Sequence, residues 1–207
     1  MFKKMLAGIM AVTMTGLLLV GTTAKAEDRI TLGYRIDNFG PPKVPCAASA
    51  RCSEITQTNY IINYDSRITE KFQLGLGIRI GERNTYSASS NNRLTNRYML
   101  RVGYDFNDYV YVNGAVGSKK QSLLPSSEFW DAEVGVKYRV NDSWQLRAGY
   151  KYREGFKGKA DDYYAGPTYR VQYTINPRYN VSLVFEDLEF LNEDRQRVAL
   201  QVQKRLF

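Results

Sequence analysis

Ten short stretches of the chain alternate apolar and polar residues. The sharpest sets Trp130, Ala132, Val134, Val136 and Tyr138 against Asp131, Glu133, Gly135, Lys137 and Arg139. Period-two alternation makes a strand with one apolar face and one polar face. The other apolar series begin with Ile30, Leu32, Tyr34 and Ile36. They continue through Tyr60, Ile62 and Tyr64, then Phe72 to Ile80, Tyr98 to Tyr104, Val110 to Val116 and Trp144 to Tyr152. Tyr169 to Ile175, Tyr179 to Phe185 and Val198 to Val202 complete them. Long and short connections take turns between them. The long ones are the Gly40-Pro41-Pro42 segment, Asn84 to Arg93, Ser118 to Ser127, Gly155 to Asp161 and Glu189 to Asp194. The short ones are Asp65 to Lys71, Asn107-Asp108, Asn141-Asp142-Ser143 and Asn176-Pro177-Arg178. An even strand number with short turns at one end and longer loops at the other predicts an all-β fold. The expected form is a transmembrane antiparallel up-and-down β-barrel of ten strands, apolar face to lipid. Eight or twelve strands are the alternatives, eight because the second and fifth stretches are the least regular.

The N-terminus reads as a targeting segment. Lys3 and Lys4 precede an apolar run from Met5 to Gly21, and Ala24-Lys25-Ala26 is a small-x-small cleavage site. Residues 1–26 are thus expected to be a signal peptide cleaved before Glu27, and 27–207 the outer-membrane β-barrel. A transmembrane anchor is the alternative, but the run falls short of the ~20 apolar residues that a spanning helix needs. Removing the segment lowers the net charge from +8 to +5, too little by itself to indicate nucleic acid. Two Cys, Cys46 and Cys52, share the first long connection, and an exported protein would pair them in a local disulfide. The chain has no His, so neither a His-based metal site nor any other metal or cofactor is expected.

Aromatics flank all four short turns: Tyr64 and Phe72, Tyr104 and Tyr111, Tyr138 and Trp144, Tyr173 and Tyr179. Amphipathic rings at headgroup level form the girdle of a bilayer interface. The chain ends in Phe207 after the alternating Val198, Leu200 and Val202. A C-terminal aromatic closing an alternating last strand resembles the assembly signal of Gram-negative outer-membrane β-barrel proteins. Phe207 stands one residue out of that phase, a departure that a bulge would repair. The resemblance implies an outer-membrane location, with lipid, lipopolysaccharide and the barrel-assembly machinery as partners. In size, Arg-rich interior and Tyr-rich strands, the chain also resembles the small monomeric porins that pass acidic oligosaccharides. That likeness implies a monomer. The porins are expected to have twelve strands and share no diagnostic motif here, so their substrate does not carry over.

A membrane barrel must hold its charges inside, and one hairpin shows how. If Val140 pairs with Trp144, Asp131 faces Arg153, Glu133 faces Lys151 and Gly135 faces Gly149 within the lumen. Val134 then meets Tyr150 on the lipid side. Opposed opposite charges stabilise a strand pair by roughly 0.2–1 kcal/mol. The inward phase also collects Arg35, Arg79, Arg97, Arg101, Lys137, Arg139, Arg147, Arg170, Arg197 and Arg205. Its acids, besides Asp131 and Glu133, are Asp37, Asp105 and Glu186. Basic groups outnumber acidic ones there. Small inward residues (Gly33, Gly75, Gly77, Gly103, Gly117, Gly135, Gly149) leave room for long Arg side chains or for a narrow passage. The Gly75-x-Gly77 spacing lies mid-strand with no helix after it, which excludes a phosphate loop.

Three functions follow from this lumen. Rings of Arg and Lys make anion pores, which points to a porin-like channel for ion transport with a basic lumen favouring small anionic solutes. A barrel near eight strands is instead filled by side chains, which points to a closed, salt-bridge-plugged structural or surface-interaction barrel. An enzyme is not expected, since the usual His base is missing and no loop gathers a substitute. Asp187, Glu189, Glu193 and Asp194 form an acidic patch best read as a solvated loop or a divalent-ion bridge to lipopolysaccharide. A nucleic-acid partner is not expected.

Overall fold

The computed structural model describes residues 27–39, 55–85, 93–122, 126–156, 163–190 and 193–206. It contains ten antiparallel strands: β1 Glu27–Phe39, β2 Ile55–Arg67, β3 Phe72–Thr85, β4 Arg93–Asp105 and β5 Val110–Gln121. β6 Ser127–Arg139, β7 Trp144–Gly155, β8 Tyr164–Asn176, β9 Tyr179–Phe190 and β10 Glu193–Arg205 complete the series. Each strand pairs with its neighbour in sequence, and β1 pairs with β10 to close the barrel. The ten-strand, up-and-down reading of the alternation therefore holds. Closure leaves no unpaired sheet edge, which a bilayer core requires of strands.

The strands run longer than their apolar runs, and two connections shrink as a result. Ser118 to Gln121 continues β5 and does not belong to a loop. Only residues 191–192 separate β9 from β10, so the expected long loop from Glu189 to Asp194 is mostly strand. Polar residues near strand ends still satisfy the ladder, and hydrophobicity alone does not mark where pairing stops.

One local device forms three of the short turns. The side-chain oxygen of Asn107 accepts the backbone N–H of Tyr109 and Val110 at 2.8 and 2.7 Å. Asn141 does the same for Ser143 and Trp144, both at 2.9 Å, and Asn176 for Arg178 and Tyr179 at 2.9 and 3.1 Å. At the fourth turn the Thr69 hydroxyl accepts from Lys71 and Phe72. Such side chains stand in for the backbone acceptor that a tight reversal lacks. They also set register, because a one-residue slip would turn every apolar side chain into the lumen.

The burial pattern is inverted relative to a soluble protein. Leu32, Tyr60, Leu76, Leu100, Val136, Leu183 and Leu200 stand exposed in a continuous outer band. An apolar surface of that extent belongs against lipid. The interior buries Arg35, Asp37, Asn59, Arg97, Arg153, Glu186 and Arg197, with one small apolar cluster of Ile61, Val184 and Ala199. Tyr64, Tyr104, Tyr138, Trp144 and Tyr173 are exposed on the outside near the short turns, and Phe72 and Tyr179 share their outward phase. Trp144 packs on Tyr173 at 4.7 Å between ring centres. Tyr111 is the exception and corrects the expected girdle. It follows the outward Val110, so its side chain points inward and is 3% exposed. Phe106 and Tyr109 are the exposed rings beside it.

Candidate functional site: the barrel lumen

The β6–β7 hairpin has the register that the alternation implied. Asp131 pairs with Arg153, Glu133 with Lys151, Gly135 with Gly149 and Val134 with Tyr150. Val140 donates its N–H to the Trp144 carbonyl at 3.0 Å. One expected ion pair forms and the other does not. Arg153 donates to Asp131 in a short contact. Lys151 leaves Glu133 and reaches over β8 to Glu186 at 2.9 Å, while Glu133 accepts the Tyr111 hydroxyl at 2.7 Å. Register decides which residues stand opposite; the shape of the lumen decides which ones touch.

The half of the lumen toward the short turns is hollow. A cavity of about 150 Å³ is lined by Arg29, Asn63, Asp65, Gln73, Arg101, Tyr111, Arg147, Arg170, Gln172 and Gln203, among others. Its charges are loosely tied to the wall. Arg101 donates to Asp65 at 3.1 Å, and Asp105 holds Lys137 at 2.8 Å and Arg67 at 3.5 Å. Arg147 donates to the Gln145 side-chain oxygen and lies over the Tyr111 ring. Directly opposite Arg147 on the ladder is another cation, Arg170. Arg139 lies in the inward phase but at the rim, exposed beside its turn, and Arg205 pairs with Glu27 near the strand ends. Neither lines the cavity.

The glycines expected to widen the lumen mostly seat neighbouring side chains. A Cβ on Gly135 would stand 2.7 Å from the Tyr111 ring carbon Cζ, and one on Gly149 would stand 3.0 Å from its hydroxyl. The opposed Gly135–Gly149 pair is therefore the bed on which Tyr111 lies. Gly117 likewise accommodates the Phe129 ring and Met99.

Toward the long connections the same residue types pack solid. Asp37, 0% exposed, is gripped by Arg35 at 2.6 Å, Arg195 at 2.9 Å and Arg197 at 3.6 Å. Glu186 bridges Arg197 at 3.0 Å and Lys151 at 2.9 Å. The Arg153 guanidinium lies over Phe129 at 3.9 Å and Tyr164 at 4.7 Å, and Arg197 covers Tyr164 at 4.2 Å. Phe129, Tyr164, Leu188, Asn59 and Thr95 are all buried around them. Arg35, Arg79, Asp131, Lys151, Glu186 and Arg197 also line the cavity, and they mark its upper boundary. Among the described residues of this layer, Arg35, Arg79, Arg97, Lys151, Arg153, Arg195 and Arg197 face the carboxylates Asp37, Asp131 and Glu186. Part of the positive surplus expected of the lumen therefore sits here.

Sequence reasoning passed over Arg195, although it stands two residues before Arg197 in the same inward phase. Arg29 and Arg67 were visible by the same rule at the turn end of β1 and β2. Cys46, Cys52, Phe207 and the segment 1–26 lie outside the described residues.

Comparison with known proteins agrees with this architecture. An outer-membrane channel from Pseudomonas putida F1 superposes with a TM-score of 0.58 at 8% identity, covering 90% of this chain and 97% of that one. The translocator domain of the autotransporter NalP from Neisseria meningitidis gives 0.57 at 12% identity, covering 99% and 96%. At such identities the likeness is one of fold alone. The KdgM porin in complex with disordered oligogalacturonate matches at 0.45, with 10% identity over 86% and 99% of the two chains, which is too loose to carry an argument. No curated protein sequence matches. The family model of the outer-membrane protein β-barrel domain matches residues 10–176, most of the chain, and the protein belongs to that outer-membrane family.

Proposed function

We propose that the protein is a closed outer-membrane barrel: a plugged scaffold that opens as a basic vestibule toward the short turns. The observation that carries this reading is the packed layer around Asp37, where ion pairs between neighbouring strands line the wall and the Arg153–Phe129–Tyr164 stack, with Arg197 laid over Tyr164 from two strands away, fills the interior. Barrels of about eight strands are filled by side chains, whereas sixteen or more enclose a water-filled passage. Ten strands with long Arg side chains reaching inward suit the filled regime. Such a barrel anchors its connections at the cell surface, above all residues 40–54 with Cys46 and Cys52 in their expected disulfide. The signal peptide 1–26, a monomeric state, contacts with lipid and lipopolysaccharide, and delivery through the assembly machinery by way of Phe207 belong to the same reading. No catalytic role is part of it.

A second reading is favoured by one specific observation. The cavity is lined by Arg29, Arg79, Arg101, Arg147 and Arg170, more cations than the carboxylates beside them neutralise. A basic lumen of that kind favours small anionic solutes if the packed layer yields. Planar-bilayer recording of the purified protein separates the two. The closed reading expects a silent membrane. Sustained current steps with anion over cation selectivity, lost when Arg97, Arg101 and Arg147 are neutralised, would replace it with the channel.

A further inference from the structure

Within the packed layer two facing strands carry the same charge at the same level. Arg79 on β3 stands directly opposite Arg97 on β4, an arrangement that is repulsive on its own. Arg97 is 3% exposed, and Nε and Nη1 of both guanidinium groups are buried without a hydrogen-bond partner. The neighbouring charges are mostly of the same sign. Arg79 is near Arg35 and Arg153, with Glu186 as the carboxylate beside it, and Arg97 is near Arg153, Arg35 and Arg197. The carboxylates within reach are already engaged: Asp37 by Arg35, Arg195 and Arg197, Asp131 by Arg153, and Glu186 by Lys151 and Arg197. A guanidinium cannot escape by losing its proton, and a buried charge without a counter-charge is not tolerated.

We infer that a small dianionic oxyanion, of the phosphate or sulfate class, binds between Arg79 and Arg97 at the closed end of the vestibule. Two planar forks on opposed register positions, each with unpaired N–H groups, match the several oxygens of such an ion, which a spherical halide cannot offer. Arg79 lines the cavity, so the ion has a route from the short-turn side. Water entering by that route would satisfy the N–H groups but leave the charge uncompensated. Another opposed pair, Arg147 and Arg170, is different. Arg147 is bonded to Gln145 and stacked on Tyr111 in the open part of the cavity, where dissolved counter-ions screen it.

The site stands whether the lumen is closed or conducting, and its test does not use conductance. The folded barrel in detergent is titrated with inorganic phosphate and with sulfate, against chloride at matched ionic strength. Calorimetry and the thermal unfolding midpoint provide the readouts. Saturable binding of one equivalent is expected, with a midpoint that climbs with the logarithm of phosphate concentration, as a ligand of the native state requires. Arg79→Gln should weaken binding at least tenfold, and Arg170→Gln should leave it within twofold. Heat-modifiable gel migration verifies that each variant is folded; if Arg97→Gln does not fold, Arg97→Lys, which keeps the charge and loses the fork, should still weaken binding. No saturable binding beyond chloride would overturn the site. So would binding that survives Arg79→Gln unchanged.

Discussion

Toward the short turns, Arg101 meets Asp65 and Lys137 meets Asp105 across a cavity, each pair partly open to water. Toward the long connections, Arg153, Arg195 and Arg197 are almost wholly buried among carboxylates and rings. The two halves use the same residue types on the same ten strands and differ in what fills the space between walls. In the lower half Gly103, Gly135 and Gly149 stand where longer side chains could project, and the one large inward ring among the described residues, Tyr111, lies flat against the wall. In the upper half Phe129, Tyr164 and Leu188 crowd the axis and force the arginines into contact. An inward charge is thus solvated or locked according to the bulk of its neighbours, not its own identity.

The largest contrast should come from Asp37→Asn. Three guanidinium groups lose their shared counter-charge in a dry environment, which costs about 3–5 kcal/mol for a buried pair. Urea unfolding of the barrel in vesicles, followed by Trp fluorescence, would measure it. The lower-half equivalent, Asp65→Asn, removes a partner from Arg101 in a wet cavity and should cost about 1 kcal/mol or less. Equal losses at the two positions would abolish the distinction between the halves.

Next in size is Gly135→Val, which drives Tyr111 off its bed and presses on the Ala148 carbonyl. Overpacking of this kind costs about 1–3 kcal/mol. Tyr111→Ala in the same background should recover part of the loss, and a failure to recover would mean that the backbone contact dominates.

Much of this was legible in the residues. The β6–β7 register follows from alternation plus a turn that begins at Asn141, because a slip would bury the lipid face. The inward phase of Tyr111 is legible as well, since Val110 and Val112 flank it, although its place beside a turn suggests the girdle. The Lys151–Glu186 bridge was not legible. It joins β7 to β9, two strands that are not neighbours in the sheet, and depends on the bore of the closed barrel. The cavity boundary is hidden for the same reason: Arg79 and Arg153 look alike in sequence, and only the aromatic pair around Arg153 separates them.

Smaller effects refine the picture. Asn141→Ala removes the oxygen that accepts from Ser143 and Trp144. It should cost about 0.5–1.5 kcal/mol in either half's variants alike, because the turn sits outside both. Smallest is Arg170→Gln. It relieves repulsion with Arg147 in the open half and should leave stability unchanged or raise it by a few tenths of a kcal/mol. A loss above about 1 kcal/mol would show that the lower half is packed after all.

The difference between the halves is tested most directly by reagent access. Single cysteines at Gln203 and Gln172, lining the cavity, and at Gln57 and Thr95, 2% and 1% exposed in the upper half, are compared in a Cys46→Ser, Cys52→Ser background. Each is exposed to a small water-soluble thiol reagent with the folded barrel in detergent, and modification is followed by mass spectrometry. Rapid modification at Gln203 and Gln172, with Gln57 and Thr95 slower by at least a hundredfold, is the expected result. Comparable rates at all four positions would mean that water passes through the arginine layer and that the lumen is open from end to end.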